Sequence, residues 1–294
     1  MASLKEIRTR ISSVSTTRQV TSAMKMVSAA KFRKAQDAII QLRPYASKLF
    51  EILTNLSESL ENTEDNLYAQ QREIKKVLII MITSNKGLCG AFNSNVSKKS
   101  ISLVNEKYAD QLQKGNVSFI TIGKHGAKAL KNRNFKIENT YDSLLEGKLT
   151  FDKVTPIAES IMQLFVNKEF DVIEIVYNQF KNAALQVLTN EQYLPVKIDI
   201  DKKVKSKKNN YLFEPSQEQI VKELIPKSLK IQFYKAIIDS IAAEHGARMT
   251  AMHKATDNAT ELLKDLRLNY NKARQASITN EILEIVGGAE ALKG

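Results

Sequence analysis

The sequence predicts an α/β protein in which the two terminal helices form a long antiparallel two-helix coiled coil around a central Rossmann-like α/β domain. Helical apolar spacing without glycine fills the N-terminal segment, and residues 227–286 contain no proline and only Gly246 as glycine. The middle of the chain alternates strand-sized apolar runs with amphipathic helical segments. We therefore divide the chain into an N-terminal coiled-coil helix (1–60), a central α/β domain (75–200) and a C-terminal coiled-coil helix (211–294).

The N-terminal helix is predicted from apolar residues at 3- and 4-residue intervals. Its only proline is Pro44, where a bend is expected. The phase of the apolar pattern slips between Val14 and Val20, so the seam is not an ideal heptad repeat. The apolar positions include Leu4, Ile7, Ile11, Val14, Val20, Met24, Val27, Ile39, Leu42 and Leu49.

The C-terminal helix is predicted to pair with the N-terminal one. At 1.5 Å per residue, 60 helical residues would extend about 90 Å, which exceeds the diameter of a domain of this size. A helix that projects so far needs a partner, and the other terminal helix is available. Small residues in both segments permit close approach: Ser22, Ala23, Ser28, Ala29, Ala30, Ala242, Ala243, Ala247, Ala251 and Ala255.

Strand and helix patterns alternate in the central domain, which indicates a largely parallel sheet. The predicted strands are KVLIIMITS, VSFITIG, FDVIEIVYN and, as a short strand, FKIENTY. The predicted helices are NSNVSKKSISLVNEKY, HGAKALKNR and TPIAESIMQLFVNK. One or two further strands are expected in ALQVLTNEQYLPVKI.

Positive charge is concentrated near the N-terminus. The formal net charge is +12, and residues 1–48 carry ten Lys/Arg against two acidic residues, whereas residues 209–294 carry eleven of each sign. A second basic cluster, DKKVKSKK at 201–208, is expected to lie in a solvated loop. A basic helical stripe implies an acidic partner, which could be nucleic acid, anionic lipid or an acidic protein surface.

The glycine-containing stretch SNKGLCGAFN (84–93) follows the first predicted strand, as phosphate-binding loops do. A P-loop requires GxxxxGK followed by Ser or Thr, and the dinucleotide loop requires GxGxxG; neither spacing is present. We therefore predict a tight turn that packs helix against strand, with Cys89 as a small buried thiol.

No catalytic or metal centre emerges from the sequence, and we predict neither a cofactor nor a bound metal. His245 and His253 are eight residues apart, too far for a shared metal on one helix. Cys89 is the only cysteine, which excludes an internal disulfide. No apolar run reaches the ~18–20 residues that span a bilayer, and no signal or transit segment is recognised at the N-terminus.

Polar residues interrupt the apolar pattern of the C-terminal helix: Arg248, Asn258, Arg274, Gln275, Thr279 and Glu281. They could form a solvated face or a set of hydrogen-bonding contacts for surrounding subunits. The pair Gly287 and Gly288 could mark a helix end or a point of close contact.

Three blocks of the sequence resemble the gamma subunit of the F-type rotary ATP synthase: IRTRISSVSTTRQVTSAMKMVSAAKFRKAQ, SNKGLCGAFN and ARMTAMHKATDNATELLKDLRLNYNKARQASITNEILEIVGGAEAL. The resemblance implies a non-catalytic central-stalk rotor that transmits torque from the proton-driven membrane c ring to the alpha/beta hexamer. It also implies contact with the epsilon subunit, and an acidic loop on beta as a partner for the basic helix. A peripheral position on the cytoplasmic face of the bacterial inner membrane would follow.

The resemblance also implies partner-binding positions. Met24 and Lys25 match the family's AMKMV segment, which lies close to the beta hinge region, and Arg248 in ARM matches a position linked to coupling. The block RQASITNE matches the family's cluster that forms hydrogen bonds with beta. In this sequence the block contains Arg274, Gln275, Thr279 and Glu281. Chloroplast-type relatives carry a regulatory insertion with two cysteines, and the single Cys89 excludes such a thiol switch here.

Two other functions remain open from the residues alone. A basic coiled-coil scaffold could bind nucleic acid, although the chain has no Trp and few aromatic residues among its charges. A small-molecule enzyme could be built on the central domain.

Overall fold

The computed structural model describes residues 4–57, 67–183, 185–196 and 217–291. The lysine-rich segment 201–208 lies outside them. The chain divides into two compact units: Met1–Ser28 with Arg248–Gly294, and Ala29–Ala247. We call them the helical unit and the sheet unit, and describe each by itself.

Six α-helices, one short 3-10 helix (Ser143–Leu145) and five strands occur in the described residues. The helices are α1 (Leu4–Ser57), α2 (Phe92–Lys107), α3 (Ala109–Gln113), α4 (Lys124–Lys131), α5 (Phe151–Val166) and α6 (Gln217–Ala291). The strands are β1 (Val77–Ile82), β2 (Val117–Ile122), β3 (Lys136–Thr140), β4 (Val172–Phe180) and β5 (Gln186–Leu194).

The five strands form one sheet in the order β3-β2-β1-β4-β5. The first four are mutually parallel, and β5 returns antiparallel to β4 as a hairpin. This confirms the predicted, largely parallel Rossmann-like sheet. FKIENTY supplies β3, and ALQVLTNEQYLPVKI supplies one strand within the described residues.

Strand β1 has neighbours on both sides and helices over both faces, so every one of its residues is buried. A strand covered on both faces reads as a continuous apolar run, which explains VLIIMI. Its side chains alternate between two cores. Val77, Ile79 and Met81 pack with α2 and α4, whereas Leu78, Ile80 and Ile82 pack with α5 and the first part of α6.

The two long helices are antiparallel partners, as predicted. Within the sheet unit, Phe32 of α1 approaches Gly246 of α6, and Arg43 pairs with Asp239. As residue numbers rise along α1, the numbers of the α6 residues in contact fall, so the two helices run antiparallel. Within the helical unit, the Thr256 hydroxyl donates to the Thr21 hydroxyl at 2.9 Å.

Several helix limits differ from the sequence pattern. Helix α6 begins at Gln217 and passes through Pro226, and it continues through Gly287 and Gly288 to Ala291. Apart from the neighbouring backbone of the helix itself, no atom of the described residues lies within 4 Å of a Cβ built on either glycine, so among these residues they mark neither a helix end nor a close contact. Helix α5 starts at Phe151, whose ring packs edge-on against that of Tyr234 at 5.5 Å.

Candidate functional site: an occupied crevice and an exposed helix end

Doubly wound α/β sheets bind ligands beyond the carboxyl ends of the strands where the winding direction reverses. Here that point lies between β1 and β4, since β2 and β3 follow on one side of β1 and β4 lies on the other. Apolar side chains of the two long helices occupy this position. They pack with the loop after β1 and the end of β4 in one cluster: Ile39, Cys89, Phe92, Phe180, Ile238, Ala242 and Ala243.

Gly246 allows one of these contacts. A Cβ at this position would lie 3.2 Å from the Ala183 carbonyl oxygen and 3.4 Å from the Phe32 ring. The tip of the β4–β5 hairpin therefore approaches the α6 backbone directly. Phe32 in turn meets Phe180 edge-on, with ring centroids 5.4 Å apart. The only glycine of residues 227–286 thus serves helix docking at the crevice.

The loop after β1 is closed by its own side chains. The Asn93 side-chain oxygen accepts from the Ser84 backbone N–H at 2.9 Å, and its amide nitrogen donates to the Ser84 hydroxyl at 2.8 Å. The same nitrogen donates to Cys89 Sγ at 3.3 Å. Cys89 is buried, which confirms the prediction of a buried thiol. The loop acts as a packed turn between β1 and α2.

Arg43 links α1 to the crevice by polar contacts. Its Nη2 donates to the Phe180 carbonyl oxygen at 2.9 Å and lies 3.6 Å from Asp239 Oδ1. Burial raises the pKa of Asp239 to about 6, although the Arg43 and Lys235 charges oppose that rise. An ion pair therefore lies where related folds hold a ligand.

All seven predicted partner-binding residues belong to the helical unit. Met24 and Lys25 are half-buried on α1, and Arg248 on α6 is only 7% exposed. The other four are exposed on the last part of α6: Arg274, Gln275, Thr279 and Glu281. They touch one another little. The Thr279 hydroxyl bonds back to the Gln275 carbonyl oxygen, and Glu281 accepts from Ser277.

The exposed end of α6 carries large apolar side chains that the sequence reasoning missed as contact candidates. From 264 to 290, no described side chain of α6 is buried. Ile278, Ile282 and Ile285 expose 48%, 54% and 71% of their surfaces. Leu283 and Val286 are exposed as well. An apolar pattern that continues past the last buried residue, Leu263, is the signal that could have identified them.

Polar and apolar residues share two adjacent stripes on this helix end. Residues three and four apart lie on one face of a helix. One stripe is Arg274, Ile278, Glu281 and Ile285, and the next is Gln275, Thr279, Ile282 and Val286. We call these eight residues the α6 contact stripes. Each stripe offers two hydrogen-bonding groups and two apolar groups, a composition suited to a protein partner.

The described residues offer neither a metal-binding cluster nor a helix that could span a membrane. They contain no cluster of three or more His, Cys, Asp or Glu side chains placed to hold a metal ion. Nor does any helix among them combine the length and apolarity needed to cross a membrane.

Comparison with known proteins places this geometry in a family. The family model described as ATP synthase matches residues 3–292. The ATP synthase gamma chain of Flavobacterium johnsoniae is 57% identical over 294 residues, with 100% of both chains covered. That of Cytophaga hutchinsonii is 53% identical over 294 residues, with 99% of each chain covered.

Solved structures show the same fold at lower identity. A chain from the Euglena gracilis mitochondrial ATP synthase (OSCP/F1/c-ring) matches with a TM-score of 0.66 at 20% identity, covering 98% of this chain and 94% of that one. On the strength of the family model and of relatives that match over their full length, the chain belongs to the ATP synthase gamma-chain family.

Proposed function

We propose that this chain is the central-stalk rotor subunit of an F-type ATP synthase. In this role it transmits torque between a proton-driven membrane c ring and a catalytic alpha/beta hexamer, and so couples proton flow to ATP synthesis or hydrolysis. The proposal extends to a contact with the epsilon subunit. It makes the chain a non-catalytic subunit, with bond chemistry left to its partners.

The α6 contact stripes carry the proposal. Large contiguous apolar surface on a soluble protein usually marks an interaction site. Here it lies on a long helix whose last part buries no side chain in the chain itself, with four of the seven predicted contact residues interspersed. A surrounding ring of subunits would cover this surface.

The occupied crevice supports a non-catalytic role. At the usual ligand position of the doubly wound sheet, apolar residues of α1 and α6 pack against the strand ends. The sheet unit therefore uses this position to hold two helices. We propose that it also supplies the surface that meets the epsilon subunit and the c ring.

The charge of α1 supports an acidic partner. Of its described side chains in the helical unit, Lys5, Arg8, Arg10 and Arg18 are exposed and Lys25 is half-buried. Glu6 is the acidic residue among them, and it pairs with Arg10 at 3.3 Å. An acidic loop of beta would complement this surface.

We include all seven residues in the proposed contact set. Met24, Lys25, Arg274, Gln275, Thr279 and Glu281 present accessible surface to a partner. Arg248 presents little, so its proposed contribution comes mainly through packing within the helical unit. The assembly would lie on the cytoplasmic face of the bacterial inner membrane, with the chain bound peripherally.

Co-purification tests the proposal. A tagged full-length chain expressed in its host should bring down alpha and beta subunits together with ATPase activity. Recovery of the chain without these subunits would contradict the rotor function. Tight, salt-sensitive retention of nucleic acid in place of the subunits would favour the scaffold alternative instead.

A further inference from the structure

A buried carboxylate lies where α1, α6 and the end of β4 meet. The Asp239 side chain on α6 has no solvent exposure. Neither of its oxygens makes a hydrogen bond among the described residues. Buried carboxylates are ordinarily paired and hydrogen-bonded, because a buried charge loses its hydration.

Arg43 is the nearest cation, and it is shared. One nitrogen, Nη2, donates to the Phe180 carbonyl oxygen at 2.9 Å and lies 3.6 Å from Asp239 Oδ1. The longer distance is an ion-pair separation, beyond hydrogen-bond range. The Arg43 side chain is 45% exposed, so its guanidinium also faces water.

Titratable or charged groups lie around Asp239 on α1, β4, β5 and α6 itself. Arg43 comes from α1, Tyr177 from β4 and Glu191 from β5, and Lys235 lies one turn away on α6 itself. The Tyr177 hydroxyl donates to Glu191 at 2.7 Å. Gln232 Nε2 donates to the other Glu191 oxygen at 3.4 Å.

Burial outweighs these groups and favours the uncharged form of Asp239. Burial raises the pKa of the carboxyl from 3.8 to about 6; the Arg43 and Lys235 charges and the Arg43 interaction lower it, and Glu191 raises it. Burial also raises the pKa of Tyr177, so its hydroxyl keeps its proton at neutral pH. Asp239 is therefore the group of this cluster whose charge changes just below neutrality.

We propose that Arg43 and Asp239 form a proton-controlled clamp, in which the charge on Asp239 decides how firmly Arg43 holds the Phe180 carbonyl. With Asp239 protonated, Arg43 directs Nη2 to Phe180 and fixes α1 to the end of β4. When Asp239 releases its proton to water, the carboxylate attracts the same nitrogen. The hydrogen bond to Phe180 then weakens, and the β4–β5 hairpin is held less firmly.

Hydrogen exchange in the full-length chain tests the clamp. Asp239→Asn mimics the protonated state at every pH. At pH 5 the amides of residues 180–186 should exchange equally in wild type and Asp239→Asn. At pH 8 they should exchange about two- to tenfold faster in wild type, the range that one net hydrogen bond supplies. Comparing proteins at the same pH cancels the intrinsic pH dependence of exchange.

Matched variants separate the clamp from a general effect of charge. Asp265→Asn removes an exposed carboxylate from the same helix and should behave as wild type at both pH values. Arg43→Met should exchange fast at both pH values, and adding Asp239→Asn to it should change nothing. Equal rates in wild type and Asp239→Asn at pH 8, or a difference of the same size at pH 5, would overturn the proposal.

A carboxyl ¹³C titration gives a second readout that does not depend on folding stability. The resonance lost in Asp239→Asn should titrate near pH 6, and in Arg43→Met its midpoint should move upward. A midpoint near the ordinary aspartate value of about 4 would overturn the proposal. The clamp does not depend on the proposed rotor function, because both measurements use the chain without partners.

Discussion

Asp239 and Glu174 are both fully buried in the sheet unit, but they differ in the hydrogen-bond donors around them. Glu174 on β4 accepts hydrogen bonds from the Lys107 ammonium and the Tyr108 hydroxyl. Asp239 has an ion pair at 3.6 Å and no hydrogen bond within the described residues. Glu174 Oε1 is thus supported by two donors, whereas Asp239 has no hydrogen-bond donor among the described residues to offset its loss of hydration.

The raised pKa of Asp239 gives the stability of the sheet unit a pH dependence. Because the folded pKa of about 6 exceeds the reference value of 3.8, folding takes up a proton between these values. The contribution to stability is complete below about pH 4 and is lost as pH rises through about 6. Asp239→Asn should therefore raise the free energy of unfolding at pH 8 by up to about 3 kcal/mol.

Denaturant titrations of wild type and Asp239→Asn at pH 4 and pH 8 measure this difference. The gain in stability from Asp239→Asn should shrink toward zero at pH 4, because the buried Asp239 of the wild type is then uncharged, as the Asn side chain is at every pH. A gain independent of pH, or a loss at pH 8, would show that the ionised carboxylate is better stabilised than its burial indicates.

Removal of the Tyr108 hydroxyl should destabilise the protein. Tyr108→Phe leaves the buried Glu174 with one donor fewer, which should cost about 1–3 kcal/mol in the free energy of unfolding. The control is Tyr141→Phe, since the Tyr141 hydroxyl accepts from Asn139 at an exposed site and should cost little. Equal losses in chemical denaturation would argue against a special role for the buried carboxylate.

Sequence reasoning reached some of these residues. Cys89 was predictable as a buried thiol, because a small residue between two glycines after an apolar strand packs easily. The burial of Asp239 was not, because a single acidic residue in an amphipathic helix is ordinarily assigned to its exposed face. Three-dimensional packing of α1 and β4 against that face changes its environment.

Among the elements, the turn at Gly123 is the most constrained by its backbone. Gly123 has a φ of 102°, and a Cβ there would lie 2.3 Å from the Thr83 carbonyl oxygen. Gly123→Ala should destabilise the protein by more than about 2 kcal/mol, since both the conformation and the space require glycine. Thermal unfolding of the purified variant measures this loss.

Gly87→Ala is the matched control in the adjacent loop. Its Cβ would approach only His125, at 3.5 Å, an ordinary contact distance. This variant should unfold within about 0.5 kcal/mol of wild type. A large loss at Gly87 with none at Gly123 would contradict our description of which turn is tightly packed.

Periodicity predicted most elements because each has a clear local pattern. β1 is continuously apolar, and α2 repeats apolar residues at helical spacing. The C-terminal helix was predicted over 211–294, and within the described residues α6 runs from Gln217 to Ala291 and passes through Pro226. Similarly, Gly287 and Gly288 did not end the helix. Local breaker signals were outweighed by the surrounding helical context.

At the scale of the molecule, the α6 contact stripes should matter for coupling and little for folding. Arg274→Ala and Glu281→Ala remove exposed side chains of one stripe, so the free energy of unfolding should change by less than about 0.5 kcal/mol. In the assembled enzyme they should lower ATP-driven proton pumping relative to ATP hydrolysis. Both rates can be measured in inverted membrane vesicles.

Asn280→Ala provides the control, because Asn280 is exposed on the opposite side of α6 from the stripes. It should leave the ratio of pumping to hydrolysis unchanged. A loss of coupling equal to that of the stripe variants would mean that the stripes have no special part in the contact.

The polar half of the stripes was predictable from the sequence only through family resemblance. Spacing alone could not separate Thr279 or Glu281 from a solvated helix face. The structure adds the apolar half, since Ile282 and Ile285 remain exposed when α1 is packed against α6. Which α6 residues α1 covers depends on pairing across the chain, and local periodicity does not encode it.

Single-molecule rotation tests the central claim, that this chain turns within a catalytic ring. Cys89 is only 2% exposed, so Lys131→Cys on the exposed face of α4 supplies a selectively reactive thiol for a bead. The labelled chain is assembled with alpha and beta subunits, and the ring is fixed to a surface. We expect the bead to turn in one direction while ATP is hydrolysed and to stop when ATP is removed. Hydrolysis at an undiminished rate with no directed movement of the bead would contradict it.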